Sequence, residues 1–148
     1  MIRNARQYRI TKAQVNKLER ALRRLAGDRR EVGSVHPLLR KAEVAALKSQ
    51  LEELQTEIEE YEGLRSGKRR VFQLESFEEL PRALIQARIA AGLSQEQLAA
   101  RLKLKAQQIQ RYEATDYASA SLSRLAQVVR ALGVKIRENV SLPRARAS

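Results

Sequence analysis

The stretch of sequence that decides the fold runs from Leu93 to Glu113 and reads LSQEQLAARLKLKAQQIQRYE. Ser94 is a residue type that caps helix starts, and the apolar Leu98 and Leu102 follow it one helical turn apart. The small Ala99 allows a second helix to approach closely, and only three or four residues separate this segment from the next one. The pattern therefore predicts two short helices joined by a tight turn.

The second of these predicted helices has two chemically different faces. Ile109 and Tyr112 share the side that we expect to be buried. On the opposite side, Gln107, Gln110 and Arg111 follow one another at positions i, i+3 and i+4. Because glutamine pairs with adenine edges and arginine with guanine O6 and N7, this row suits the major groove of DNA.

These residues together resemble the lambdoid-repressor and Cro-like (XRE-type) helix-turn-helix transcriptional regulators. The resemblance extends from Arg88 to Leu132 and covers about a third of the chain directly. It is carried by Arg88, Gly92-Leu93-Ser94-Gln95, Leu98-Ala99, Ile109, Glu113 and Leu125 to Gly133. It implies an all-α, four- to five-helix domain over residues 80–142 that binds double-stranded DNA and regulates transcription, without a cofactor.

The resemblance also implies roles for single residues. Gln95 would hold a DNA phosphate at a helix start, and Arg88 would form a buried ion pair with Glu113. The DNA-binding candidates, including Gln110 for its shared face, are Gln95, Lys105, Ala106, Gln107, Gln110, Arg111, Thr115, Tyr117 and Ser119. Capping of the following helix is an equal alternative for the loop hydroxyls, and packing is the alternative for Tyr117.

Two residues depart from the family pattern. Lys103 stands where the family usually has a glycine in the turn, and Lys105 stands where it usually has a small hydroxylated cap. The departures predict a turn of slightly different shape and an additional phosphate contact from Lys105.

The N-terminal half predicts two further helices. Thr11 with Gln14 forms a capping-box pattern, so the first helix is expected to begin near Lys12 and to end at Gly27. A loop is expected from Asp28 to His36, and Pro37 suits the first turn of the second helix. That helix carries an apolar seam with heptad spacing, our candidate dimerisation surface: Val44, Leu47, Leu51, Leu54, Ile58 and Tyr61.

Charge changes sign along the chain, which has a net charge of +12. Residues 12–26 carry five basic side chains and one acidic one, whereas residues 43–62 carry seven acidic and one basic. The two N-terminal helices are therefore complementary, either as an antiparallel hairpin within one chain or as a bundle between chains. In a hairpin, the first helix would cover the seam and leave dimerisation to the C-terminal half.

The expected organisation is a helical arm over residues 1–66, a linker over 67–79, the DNA-binding domain over 80–142 and a basic tail over 143–148. Ser66 to Arg70 combines flexibility with charge and is the expected hinge. Ser76 with Glu79 predicts a capped turn before Pro81. Two short alternating runs, 71–74 and 134–137, are candidate strands that pair within a chain or across a dimer.

Composition narrows the function. An excess of basic residues favours nucleic acid as the partner and, second, an anionic membrane surface. Because the chain has no cysteine and one histidine, His36, cysteine-based metal sites and thiol nucleophiles are excluded, and an enzyme is the least favoured class. We expect a soluble, cytoplasmic protein without a metal.

We interpret the chain as a dimeric repressor. The main alternative is an antitoxin that represses its own operon and binds a toxin through the arm. Weaker alternatives are an RNA-binding protein, disfavoured by the few aromatic residues, and an interaction protein that has lost DNA binding.

Overall fold

The computed structural model describes residues 1–27 and 36–143. Within them the fold is all-α, as predicted, and contains one 3₁₀ turn at Phe77–Glu79. The helices are α1 (Ala5–Gly27), α2 (Pro37–Arg65), α3 (Leu80–Ala90), α4 (Gln95–Arg101), α5 (Ala106–Ala114) and α6 (Leu122–Leu132). None of the helices described is long and apolar enough to cross a membrane.

Helix α1 begins earlier than the sequence pattern predicts. Asn4 caps it, because its Oδ1 accepts a hydrogen bond from the Gln7 backbone N–H at 2.9 Å. Thr11, the expected cap, lies inside the helix and is buried. The Thr11–Gln14 spacing was therefore a coincidence within a helix, and the prediction of a start near Lys12 was wrong. The described part of α1 extends to Gly27, and the residues that follow lie outside the described part of the chain.

Helix α2 begins at Pro37, as predicted, and His36 caps it through Nδ1, which accepts from the Leu38 backbone N–H at 3.2 Å. The rest of the predicted loop, residues 28–35, lies outside the described part of the chain. The tail from 144 to 148 also lies outside it.

Helices α1 and α2 form an antiparallel hairpin within the chain. At one end the rings of Tyr8 and Tyr61 lie 5.1 Å apart, and Lys12 pairs with Glu62 at 3.1 Å. The Tyr8 hydroxyl also donates to Glu62. Hydrogen bonds from Tyr8 and Lys12 lower the pKa of Glu62 below its ordinary value. The complementary charges of the two helices thus meet within one chain.

The residues of the apolar seam of α2 are buried to different extents. Ile58 and Tyr61 are buried, and Leu51 and Leu54 are half-buried against the same core. Val44 and Leu47, towards the far end of the hairpin, are half-buried but do not join that core. Much of the seam is therefore already covered within a single chain.

The core of the C-terminal half is continuous with the base of the hairpin. Leu84, Ile85, Leu98, Ile109 and Val128, from all four C-terminal helices, are almost completely buried. The same cluster contains side chains from the N-terminal half, which are Ile2, Val15, Ile58, Tyr61 and Leu64. The arm and the C-terminal half thus share one hydrophobic core.

The two candidate strands are not formed in the described residues, where 71–74 and 134–137 are irregular. Each alternation is only four residues long, and neither segment lies beside a free edge with which to pair. Phe72 instead turns towards the core, with the Arg69 guanidinium 4.8 Å from its ring centroid. Ser76 makes no side-chain cap, and the Glu79 carboxylate accepts from the Glu75 backbone N–H rather than from that of Ser76, so the predicted capping box is not formed.

Candidate nucleic-acid interface

Helix α4 is fixed at its start by a complete capping box. The Ser94 Oγ accepts from the Gln97 backbone N–H at 3.1 Å, and the Gln97 side chain accepts from the Ser94 N–H at 2.8 Å. Leu98 and Ala99 are buried, as the pattern predicts. The short helix is thereby held both by its cap and by its apolar face.

The turn between α4 and α5 is a Schellman motif. The Leu104 N–H donates to the Ala99 carbonyl at 2.9 Å and the Lys103 N–H donates to the Ala100 carbonyl at 3.2 Å. Lys103 occupies the left-handed position of this motif, with φ of 56°. The turn thus keeps a conformation suited to glycine although lysine stands there.

Helix α5 presents the predicted polar row to solvent. Ile109 and Glu113 are buried on its inner side. Gln107, Gln110 and Arg111 are exposed, and none makes a side-chain hydrogen bond within the described residues. Lys105 at the helix start is exposed and Ala106 is half-buried. The cap comes from Gln108, whose Oε1 accepts from the Lys105 backbone N–H at 3.2 Å.

A buried ion pair holds α5 against α3. Arg88 Nε lies 2.6 Å from Glu113 Oε1, and Nη2 lies 2.7 Å from Oε2, so the contact is bidentate. Arg88 Nη1 also donates to the Leu93 carbonyl at 2.7 Å. Both charged side chains are almost completely buried. The pair therefore fixes the position of α5 relative to the loop before α4.

The structure places Gln95 differently from what the resemblance implies. Its side chain is buried, donates through Nε2 to Glu113 Oε2 at 2.7 Å, and accepts through Oε1 from Asn4 Nδ2 at 3.2 Å. Both ends of the carboxamide are therefore occupied within the chain. Nε2 has a second N–H, but the side chain is only 4% exposed, so a contact to phosphate through it requires the side chain to become more exposed.

The three loop candidates after α5 differ in exposure. Tyr117 is buried, and its ring stacks on Tyr112 with centroids 5.7 Å apart. Thr115 is exposed, but its hydroxyl donates to the carbonyls of α5, which is a capping role at the end of that helix. Ser119 is exposed. The cap of α6 is Ser121, whose Oγ accepts from the Arg124 N–H at 3.1 Å.

A family model described as helix-turn-helix matches residues 84–139. The chain carries an XRE-type helix-turn-helix domain. Its two defining helices are α4 and α5, and the domain belongs to a class of DNA-binding transcription regulators rather than to an enzyme family. No curated protein and no solved structure matches the chain significantly.

Sequence reasoning missed the part that the first four residues play beside the helix-turn-helix domain. The Arg3 carbonyl accepts from Arg88 Nη2 at 2.7 Å, and the Arg3 guanidinium pairs with Asp116 at 2.9 Å. Asn4 contacts Gln95, as described above. The Asn4–Gln7 spacing is itself a capping signal for the start of α1. The contacts of Arg3 and Asn4 with the helix-turn-helix domain join residues that lie far apart in the sequence, so no local sequence pattern predicts them.

Proposed function

We propose that this protein is a sequence-specific double-stranded DNA-binding repressor that acts as a dimer and reads bases with α5. The observation that carries the proposal is the row Gln107, Gln110 and Arg111, exposed and free of side-chain hydrogen bonds within the described residues. The row lies on a helix whose position is fixed by the Arg88–Glu113 ion pair. Rigid presentation of unpaired donors and acceptors is what readout of base edges requires.

The chemistry of the row assigns a role to each side chain. Arg111 offers two parallel donors to guanine O6 and N7, and Gln107 and Gln110 offer an amide donor and acceptor to adenine N7 and N6. The methyl group of Ala106 suits an apolar contact with a thymine methyl group. Its short side chain also lets α5 approach the DNA closely. Lys105, exposed at the start of α5, would contact a phosphate through its ammonium group, and Thr115 would have to exchange its hydrogen bonds to the carbonyls of α5 for one to a phosphate.

Charge supports an anionic partner on this side of the domain. Lys103, Lys105 and Arg111 are exposed and have no acidic partner within 4.0 Å in the described part of the chain. Unpaired surface cations release condensed counterions from DNA when they bind phosphates, so binding is expected to weaken steeply as salt concentration rises.

Repression and dimerisation are the finer parts of the proposal. Occupying a promoter is enough to exclude another protein from the same DNA, so repression needs no additional site. A single recognition helix contacts only a few base pairs, so two copies on half-sites about 34 Å apart are needed for specificity. We prefer this to the antitoxin alternative because the buried apolar side chains of the arm already pack within the chain, in the core that it shares with the C-terminal half.

The test begins with selection of a duplex from a randomised pool by the full chain. We expect Arg111→Ala to lose roughly 1–3 kcal/mol of binding free energy on the selected duplex and much less on a scrambled one. Arg130→Ala, which removes an exposed arginine from α6, is the matched control and should leave the preference between the two duplexes unchanged. Equal losses on both duplexes for Arg111→Ala would remove this residue from base readout.

A further inference from the structure

A charged groove of about 810 Å³ lies between the arm and the helix-turn-helix domain. The arm side is lined by Arg6, Gln7 and Ile10 from α1 and by Arg65 from the end of α2. The opposite side includes Glu96 of α4 and Gln110 of α5. Because Gln110 belongs to the proposed reading row, the groove is continuous with the face that we assign to DNA.

Two cations in this groove have no partner in the described residues. Arg6 and Arg65 are exposed and form neither an ion pair nor a side-chain hydrogen bond there. Arg3 also lines the groove, and its Nε is buried without a hydrogen-bond partner. The one acidic side chain among the lining residues is Glu96, which is exposed. The groove therefore carries an excess of positive charge.

The arm is held rigidly at this place. Arg3 is bonded to Arg88 and Asp116, Asn4 is bonded to Gln95, and Ile2 is buried in the shared core. The backbone position of Arg6, the second residue of α1, is thus fixed relative to α5. A cation whose backbone is held beside the reading helix loses less conformational entropy on binding than one on a flexible tail.

We propose that this groove binds the DNA backbone that flanks the bases read by α5, with Arg6 and Arg65 contacting phosphates. Both residues lie outside the part of the chain that matches the family model, so the contact is an extension of the domain supplied by the arm. The inference rests on the proposed DNA-binding function. The occupant is a phosphodiester backbone because the free groups in the groove are guanidinium groups, which bind phosphate oxygens in a bidentate manner.

The experiment compares two double variants of the full chain on the selected duplex and on a scrambled one. Arg6→Gln with Arg65→Gln removes the groove cations, and Arg20→Gln with Arg23→Gln removes two exposed cations from the same helix α1 further along the hairpin. Arg6 and Arg20 are separated by about 21 Å along the helix axis. Affinity is measured between 50 and 200 mM salt, and phosphate contacts are mapped by ethylation interference.

We expect the groove variant to weaken binding to both duplexes equally. Loss of two phosphate contacts makes the slope of log K against log salt less steep by about 1.8, which changes the ratio of wild-type to variant affinity about tenfold over this salt range. The interference signals that disappear should be those of phosphates flanking the bases read by α5, whereas the signal from the phosphate that Lys105 contacts should remain. Arg6→Lys with Arg65→Lys keeps the charges and should retain most of the slope.

Three results would overturn the inference. An unchanged slope and interference pattern in the groove variant, with Arg111→Ala still losing specificity, would remove the groove from the interface and leave the proposed function intact. An equal loss in the control pair would mean that only net charge matters. If the wild-type chain selects no duplex and binds none, the proposed function fails together with the inference. Thermal melting of each variant verifies that it is folded.

Discussion

Lys103 has a backbone conformation that costs free energy for any residue other than glycine. Its φ of 56° places it in the left-handed region, where the side-chain Cβ crowds the following carbonyl by about 1–2 kcal/mol. Gly92 after α3 and Gly133 after α6 occupy the same position of equivalent Schellman motifs. The family usually has glycine in the turn after α4 as well. In this chain, Lys103 is therefore strained at a position where glycine would not be.

We therefore expect Lys103→Gly to stabilise the protein. Relief of the strain is partly offset by the greater freedom of glycine in the unfolded chain, leaving a gain of about 1 kcal/mol in the free energy of unfolding. Urea denaturation measures it. Lys103→Ala removes the same charge but keeps a Cβ and should give no such gain. Gly133→Ala, whose Cβ would meet no atom within 4 Å, should instead lose about 1 kcal/mol.

Ionisation of the Tyr117 hydroxyl makes the free energy of unfolding depend on pH in the alkaline range. Burial of its ring and, second, the nearby Glu113 carboxylate raise the pKa of its hydroxyl above the ordinary value of 10.0. A group whose pKa is raised on folding contributes stability that is fully present below its unfolded pKa. That contribution is lost as pH rises, because the unfolded chain releases the proton first.

We expect Tyr117→Phe to remove this dependence. Above pH 10.0, the wild-type protein should lose up to about 1.4 kcal/mol per pH unit relative to the variant. Urea denaturation of both proteins from pH 8 to pH 11 gives the difference between their free energies of unfolding. The lysines titrate in both proteins, so their contribution cancels in this difference. Parallel pH profiles would show that the hydroxyl ionises in the folded state. Unchanged DNA affinity in the variant would support packing, rather than phosphate contact, as the role of Tyr117.

Between secondary-structure elements, the main polar connection is the Arg88–Glu113 pair, which joins α3 to α5. Arg88 also bonds the loop before α4 and the start of the chain, and Glu113 also accepts from Gln95. The free energy needed to remove two charges from water offsets much of the attraction between them. The pair therefore contributes more to the placement of α5 than to net stability.

This account predicts strong coupling between the two residues. Arg88→Met or Glu113→Leu singly leaves the other charge buried without its partner and should cost about 3–5 kcal/mol of unfolding free energy. The double variant should lose clearly less than the sum of the two single losses. Additive losses in urea denaturation would mean that the contact is not a coupled pair. A folded double variant with lower operator affinity would support the positioning role.

The elements that the sequence predicts well are those with local signals. The Ser94–Gln97 box, the buried Leu98 and Ile109, and Pro37 with His36 at the start of α2 all act over a few residues. The start of α1 was misassigned because Thr11–Gln14 and Asn4–Gln7 are both capping patterns, and only packing against α2 decides between them. The candidate strands failed because alternation over four residues does not specify a partner for the backbone.

The residues of the site are predictable only in part for the same reason. The exposed row on α5 follows from helical periodicity, and the buried partners of Gln95 do not. Asn4 and Gln95 lie 91 positions apart in sequence, and their contact depends on how the hairpin packs on the domain. Tyr117 is similar, because its burial results from a left-handed turn that brings it onto Tyr112.

At the scale of the whole molecule, the shared core makes the arm and the helix-turn-helix domain one packing unit at the base of the hairpin. Ile58 and Tyr61, two residues of the apolar seam, are buried in that core. Dimerisation through the whole seam would therefore require the hairpin to open. The far part of the seam, at Val44 and Leu47, is only half-buried and is the part that a second chain is able to reach.

We expect the wild-type chain to be a dimer held partly through this far part of the seam. Val44→Glu with Leu47→Glu places charges there without changing a side chain of the shared core, so sedimentation equilibrium should give a monomer while circular dichroism keeps its helical signal. Loss of the second half-site contact should weaken operator binding roughly 10²- to 10⁴-fold.

The control variant, Ala45→Glu with Lys48→Glu, changes two exposed neighbours on α2 and should remain dimeric. A seam variant that stays dimeric with full operator affinity would place the interface in the C-terminal half, and a monomeric wild-type chain would remove the dimer from the proposal.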